Sequence, residues 1–140
     1  MNLVIDTNVI VAAVRSPAGV SAELLRQARA RVVKPLASVA LAVEYQAVCQ
    51  RDEHVLASGF TVAEMGQFLD AVIALAEPGT IWFLWRPQLR DARDELVLEA
   101  AVNGRAAAIV TFNSRDFLPA AQLFGVEIWT PKQTLEKLPV

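Results

Sequence analysis

Apolar positions in this chain fall into short solid runs, and longer amphipathic stretches separate them. Leu3-Val4-Ile5 is a brief apolar run that stops at Asp6, the pattern of a buried strand. Val9 to Val14 predicts a first helical turn or two, broken by Ser16-Pro17-Ala18-Gly19. Ser21 is placed to cap a helix through about Ala30, with Leu24, Leu25 and Ala28 on one face. Val32-Val33-Lys34 predicts a second strand ended by Pro35. Ser38 then caps a helix to about Cys49, followed by a polar break at Arg51-Asp52-Glu53.

Thr61-Val62-Ala63-Glu64 has capping-box spacing and opens a helix to about Ala76, stopped by Glu77-Pro78-Gly79. Ile81-Trp82-Phe83-Leu84-Trp85 is apolar on both faces, as a covered central strand should be. A polar loop from Arg86 to Arg93 leads into a helix ending near Asn103-Gly104, a C-cap pair. Ala107-Ala108-Ile109-Val110 and Val126-Glu127-Ile128-Trp129 predict two further strands. Thr130-Pro131-Lys132-Gln133 supplies a cap and a proline at N1 for a closing helix.

Strands separated by helices pair in parallel through right-handed crossovers. The expected fold is therefore α/β, a three-layer α/β/α sandwich with a central parallel sheet of about five strands. No internal repeat, low-complexity tract or linker interrupts the pattern, so residues 1–140 read as one domain.

Composition narrows the class. Hydrophobic residues make up 54% of the chain and charged ones 20%, which excludes intrinsic disorder. No uninterrupted apolar stretch exceeds six residues, as in Ala71–Ala76, against the roughly 20 that a membrane span needs. No basic segment precedes an apolar one at the start, and the single cysteine, Cys49, suits a reducing compartment. A cytoplasmic location is the expectation. Fifteen acids against 13 bases give a net charge of -2, so broad electrostatic wrapping of nucleic acid is not expected. An acidic total still allows a small carboxylate cluster that binds metal and works on a phosphate. The apolar surplus points to a homodimer or a partner interface.

In an open parallel sheet, ligands bind beyond the carboxyl ends of the strands. Asp6 follows the first strand, Asp91, Asp94 and Glu95 precede or begin a helix, and Asn113 and Asp116 follow the Ile109-Val110 strand. Each alone is also what a helix cap would use. Several approaching one edge is a stronger signal. Glu44 stands out, because the run Val39 to Val48 is apolar on nearly every face. A buried carboxylate is costly unless it is paired or holds a metal, and no lysine or arginine lies one helical turn away. The bland alternative puts Glu44 on a narrow solvent-facing stripe near Gln46.

Oxygen ligands alone favour Mg²⁺ or Mn²⁺ over zinc. His54, the sole histidine, reads as a solvated loop residue, and Cys49 as a core thiol. No glycine-rich phosphate loop or dinucleotide fingerprint is present. Arg15, Arg90, Arg93 and Arg115 are candidates for gripping substrate by their nearness in sequence to the acids.

Four segments together resemble the PIN-domain nucleases. They are Val4-Ile5-Asp6-Thr7-Asn8-Val9, Glu44, Asp91-Ala92-Arg93-Asp94-Glu95-Leu96-Val97-Leu98 and Thr111-Phe112-Asn113-Ser114-Arg115-Asp116-Phe117, spanning most of the chain. The branch it looks most like is the toxin component of VapC-type toxin–antitoxin systems. The resemblance implies an α/β/α sandwich, a Mg²⁺ or Mn²⁺ cofactor, hydrolysis of RNA by an endoribonuclease, and a cognate antitoxin protein as partner. Position by position, Asp6, Glu44, Asp94 and Asp116 become the metal-holding and catalytic quartet, with Asn8 and Asn113 as polar support. The middle segment departs from the family pattern, with Ala92 and Arg93 where a more continuous acidic run and a proline are common. Glu95 and Asp91 therefore stand as alternatives to Asp94. Readings from other classes are a non-catalytic PIN-fold binding module, or a metal-dependent phosphatase or phosphotransfer domain. Asp6-Thr7-Asn8 lacks the second carboxylate of an Asp-x-Asp phosphatase motif.

Overall fold

The computed structural model describes residues 1–78, 92–118 and 120–139. Strands β1 (Asn2–Ile5), β2 (Lys34–Ala37), β3 (Glu77–Pro78), β4 (Ala108–Val110) and β5 (Glu127–Trp129) form one sheet in the order β3-β2-β1-β4-β5. Every pairing is parallel. Central β1 is locked in register on both sides, Leu3 opposite Pro35 and opposite Ala108. Its side chains Leu3, Val4 and Ile5 are buried on both faces, which is why the run is apolar without alternation.

Helices α1 (Thr7–Arg15), α2 (Val20–Arg29), α3 (Val39–Cys49), α4 (Asp52–Ser58) and α5 (Val62–Leu75) lie between β1 and β3. Right-handed crossovers moving from β1 towards β3 place them over one face. Helix α6 (Ala92–Gly104) crosses back and packs on β1, β2 and β4, covering the other. A short α7 (Ala120–Leu123) precedes β5, and α8 (Pro131–Lys137) closes the chain against α2. The expected three-layer α/β/α sandwich with a parallel sheet is the observed fold. Among the described residues no helix is long and apolar enough to cross a membrane.

The chain runs outward from β1 to β3, then returns to build β4 and β5 on the other side. The point where the order reverses is the gap between β1 and β4, and that is where an open parallel sheet receives its ligand. Asp6 and Thr111 are the first residues past these two strands.

Local differences from the sequence expectation have physical causes. Pro35 does not end β2 but sits inside it. The Lys34 amide donates to the Met1 carbonyl at 2.8 Å, so the next residue's amide would point away from β1. On that side β3 pairs only from Leu36 onward, so the N–H that proline lacks has no partner to lose. Glu77–Pro78, expected only to stop a helix, forms the edge strand instead. The strand expected over Ile81–Trp85 and the loop through Arg90 and Asp91 lie outside the described residues. The stretch expected as a polar break after Cys49 opens α4, ended by Gly59 with φ 78°. At the end of α6 the left-handed residue is Arg105, φ 53°, and not Gly104. Gly104 is small for another reason, since a Cβ there would meet Leu36 Cδ1 at 2.8 Å.

The caps divide similarly. Ser38, Thr61 and Thr130 all accept the expected backbone hydrogen bonds, and the last two complete capping boxes. Ser21 does not cap. Gly19 holds that position in α2, and the Ser21 hydroxyl is buried with no hydrogen-bond partner. Ser38→Ala should therefore cost about 1 kcal/mol. Ser21→Ala, which removes an unsatisfied buried hydroxyl, should be neutral or stabilising. Urea midpoints with unchanged slopes measure both, and equal losses would contradict the assignment.

Candidate active site

Asp6 occupies the N-cap position of α1, yet its side chain makes no capping hydrogen bond. The carboxylate turns towards β4 instead. Its Oδ2 accepts from the Thr111 hydroxyl at 2.6 Å, while its backbone amide donates to the Val110 carbonyl at 2.8 Å. Thr111 is fully buried. Its oxygen also accepts from the Asn113 amide at 3.0 Å and from Asn8 Nδ2 at 3.4 Å. One hydroxyl has one donor and two acceptor positions, and here all three are used. Asn113 likewise starts a short 3₁₀ turn, Ser114–Asp116, without capping it by its side chain. Two polar residues that sequence alone would assign to helix caps are thus free of that duty.

Glu44 comes to the same place from α3. Its side chain is 17% exposed, and Oε1 lies 3.8 Å from Arg93 Nε of α6. The partner that sequence could not supply within one helical turn arrives from another element. Next to it, the chain's only tyrosine ties α3 to the sheet, since Tyr45 Oη donates to the Ile5 carbonyl at the last residue of β1. Burial raises the Tyr45 pKa well above the ordinary phenol value, and the negative charge of Asp6, then Cys49, adds to the shift. One turn further on, burial pushes the Cys49 thiol from 9.0 up to about 12.

The result is a pocket of about 250 Å³ that presents the carboxylates of Asp6, Glu44 and Asp94. The amides of Asn8 and Asn113 also line it, as do Arg93 and His54. Asp94, in the first turn of α6, faces this space, whereas Glu95 is 2% exposed and is not part of the lining. Asp116 and Arg115 lie exposed on the 3₁₀ turn, outside the lining. Arg15 is at the far end of α1, roughly 14 Å of helix away from Asp6. Asp91 and Arg90 fall outside the described residues. His54, expected in a solvated loop, sits on α4 with a side chain 15% exposed. Thr111, Tyr45 and His54 are the residues that sequence reasoning did not assign to the site. The one signal for Thr111 was a hydroxyl placed directly after a buried strand.

Whether these residues suit a divalent cation rests on their unpaired oxygens. As placed, no three acidic, imidazole or thiol groups among the described residues are gathered tightly enough to hold a metal ion. Like charges do separate without a counter-ion, and here Asp6 leans on Thr111 while Glu44 leans on Arg93. Yet Asn8 Oδ1 and Glu44 Oε1 are buried acceptors with no hydrogen-bond partner, both on residues lining the pocket. Buried acceptors without donors are costly unless something electropositive serves them. The carboxylates and the Asn8 amide offer oxygen donors, and with Asn8 Oδ1 unserved and Glu44 Oε1 met only by Arg93 at 3.8 Å they fit a hard divalent ion.

A family model described as PIN domain matches residues 2–115. The chain belongs to the PIN-domain family. PIN domains are generally nucleases, so membership points to nuclease activity in general. The match includes Asp6, Glu44, Asp94 and Asn113 and stops one residue before Asp116. No curated protein and no solved structure matches the chain.

The Tyr45 and Cys49 shifts predict how this PIN domain loses stability in alkali. Both folded-state values are raised, so the unfolded chain gives up these protons first as pH climbs. For Cys49 the native state is favoured fully below 9.0, and that advantage is lost as pH rises towards about 12. Denaturation midpoints should fall across this window, and less steeply in Cys49→Ala. An identical decline in the variant would contradict the burial of the thiol.

Proposed function

We propose that this PIN domain is a Mg²⁺- or Mn²⁺-dependent endoribonuclease, the toxin of a toxin–antitoxin pair. The observation that supports the chemistry is the turning of Asp6 away from its helix and into a pocket shared with Glu44 and Asp94. A residue that only caps a helix would not be held off the cap by a buried threonine. Asp6, Glu44 and Asp94 would hold the cation, with Asn8 Oδ1 as a neutral oxygen. Held by these residues, a divalent ion would supply activation of water and offset the charge that builds on the phosphate.

The chain's own residues then divide the work. Thr111 fixes the Asp6 carboxylate, and Tyr45 fixes the backbone from which Asp6 projects. Glu44, on an otherwise apolar helix and near Arg93, is suited to orient the attacking water and accept its proton. Arg93 lies beside the acids, where it would meet a phosphate oxygen. Asp116 would join only if the 3₁₀ turn brought it inward. It is a weaker member of the quartet than the other three.

Association is supported by exposed apolar side chains. Val39 and Val43 on α3 are 79% and 61% exposed, and Leu56 on α4 is 84% exposed. The segments 21–30 and 61–76, which the sequence offers as association surfaces, include Val62 on α5 at 65% exposed. A homodimer or an antitoxin segment would cover them.

Cation binding to the folded state alone stabilises it by about 2.7 kcal/mol at a hundredfold excess over Kd. Mn²⁺ should raise the melting temperature of the wild type and shift Asp6→Asn far less. Glu44→Gln should abolish RNA cleavage while unfolding within about 0.5 kcal/mol of wild type in metal-free buffer, because the amide keeps the side-chain volume. Normal cleavage by Glu44→Gln, or equal Mn²⁺ shifts in wild type and Asp6→Asn, would refute the reading.

A further inference from the structure

His54 lines the same pocket as the acids. Helix α4 packs against α1, which starts with Thr7 and Asn8, so His54 shares a wall with the Asn8 amide. Its side chain is 15% exposed, and Nδ1 is buried with no hydrogen-bond partner. The other ring nitrogen, Nε2, lies 3.7 Å from Glu53 Oε1, a carboxylate that is 70% exposed on the outer side. Nδ1 is thus the ring nitrogen left in search of a partner.

What chemistry suits that nitrogen follows from its two states. Without a proton Nδ1 accepts, and with one it donates. A phosphate oxygen only accepts, so it satisfies Nδ1 in one state alone. It would also enter a pocket that already holds Asp6, Glu44 and Asp94. A ribose 2′-hydroxyl carries no charge and both donates and accepts. It serves Nδ1 in either state. Among the pocket-lining donors and acceptors, Asn8 Nδ2 is given to Thr111 and Arg93 lies against Glu44. His54 offers an unengaged polar atom of this kind.

We propose that His54 reads the sugar of the bound strand. Its Nδ1 pairs with the 2′-hydroxyl of a ribose seated in the pocket and gives the site its preference for RNA over DNA. The proposal rests on the ribonuclease reading and sharpens it, since the acids and the cation treat both kinds of phosphodiester alike.

The test compares two fluorescein-labelled single strands of one sequence, all-ribo and all-deoxy, with uracil in both. Anisotropy titrations use the protein with all its acids in place and Ca²⁺ substituted for Mn²⁺, with the strands checked on a gel to be intact, so that binding is read without cleavage. One hydrogen bond between neutral groups should favour the ribo strand by about threefold to tenfold. His54→Leu under the same conditions should bind the deoxy strand as before and lose that preference. His54→Asn, whose amide oxygen or nitrogen replaces Nδ1, should restore part of it. A merely structural role would weaken both strands together and leave the ratio intact, and that result would overturn the proposal. An unchanged ribo preference in His54→Leu overturns it as well, while the ribonuclease reading stands. If the parent binds neither strand, the ribonuclease reading fails and the inference falls with it.

Discussion

The site hangs on one hydrogen bond, from the Thr111 hydroxyl to the Asp6 carboxylate at 2.6 Å. Asp6 stands at the start of α1, where an aspartate ordinarily turns back to serve the helix's own amides. Thr111 is placed by β4, the strand paired with β1, and it is fully buried. Its remaining capacity is taken by Asn113 and Asn8, so it cannot rotate away without breaking two other contacts. The parallel pairing of β1 with β4 therefore does more than build a sheet. It brings a hydroxyl and a carboxylate to the same end of the molecule and sets the direction in which the carboxylate points.

Around this bond the remaining groups are positioned by packing. Tyr45 fastens α3 to the carbonyl of Ile5, and Glu44 precedes Tyr45 on that helix. Apolar side chains of α3, Leu41 and Cys49 among them, are buried against the core, so Glu44 is carried to the pocket by a helix held for other reasons. Helix α6 lies across the opposite face and delivers Asp94 and Arg93 from its first turn. The carboxylates thus come from three separate crossovers of the sheet. Each is held by structure that has a hydrophobic reason to exist, while the local repulsion between them is small beside the burial that places them.

Much of this was legible in the order of residues. Alternation of apolar runs with amphipathic stretches gave the parallel α/β layering, and Ser38, Thr61 and Thr130 marked their helices because capping is a local interaction. Asp6, Glu44 and Asp94 could be picked out because they sit where a parallel sheet opens or where a charge is out of place. The parts that were not legible depend on contacts between distant segments. Pro35 is tolerated inside β2 only because of where β3 begins. Glu44 finds Arg93 across the fold. His54 has no local pattern that marks it, Thr111 has only a hydroxyl after a buried strand, and an exposed Asp116 looks no different in sequence from an inward one. Gly104 resembles a helix terminator, yet its small size serves the approach of α6 to Leu36.

The central claim is that Thr111 aims Asp6 at a cation, and calorimetric titration of Mn²⁺ into Thr111 variants tests it most directly. Groups that orient a ligand typically cost 10- to 100-fold in metal affinity when removed, about that much being expected for Thr111→Val. Thr111→Ser keeps the hydroxyl and should bind Mn²⁺ close to wild type. Wild-type affinity in a folded Thr111→Val protein would contradict the account.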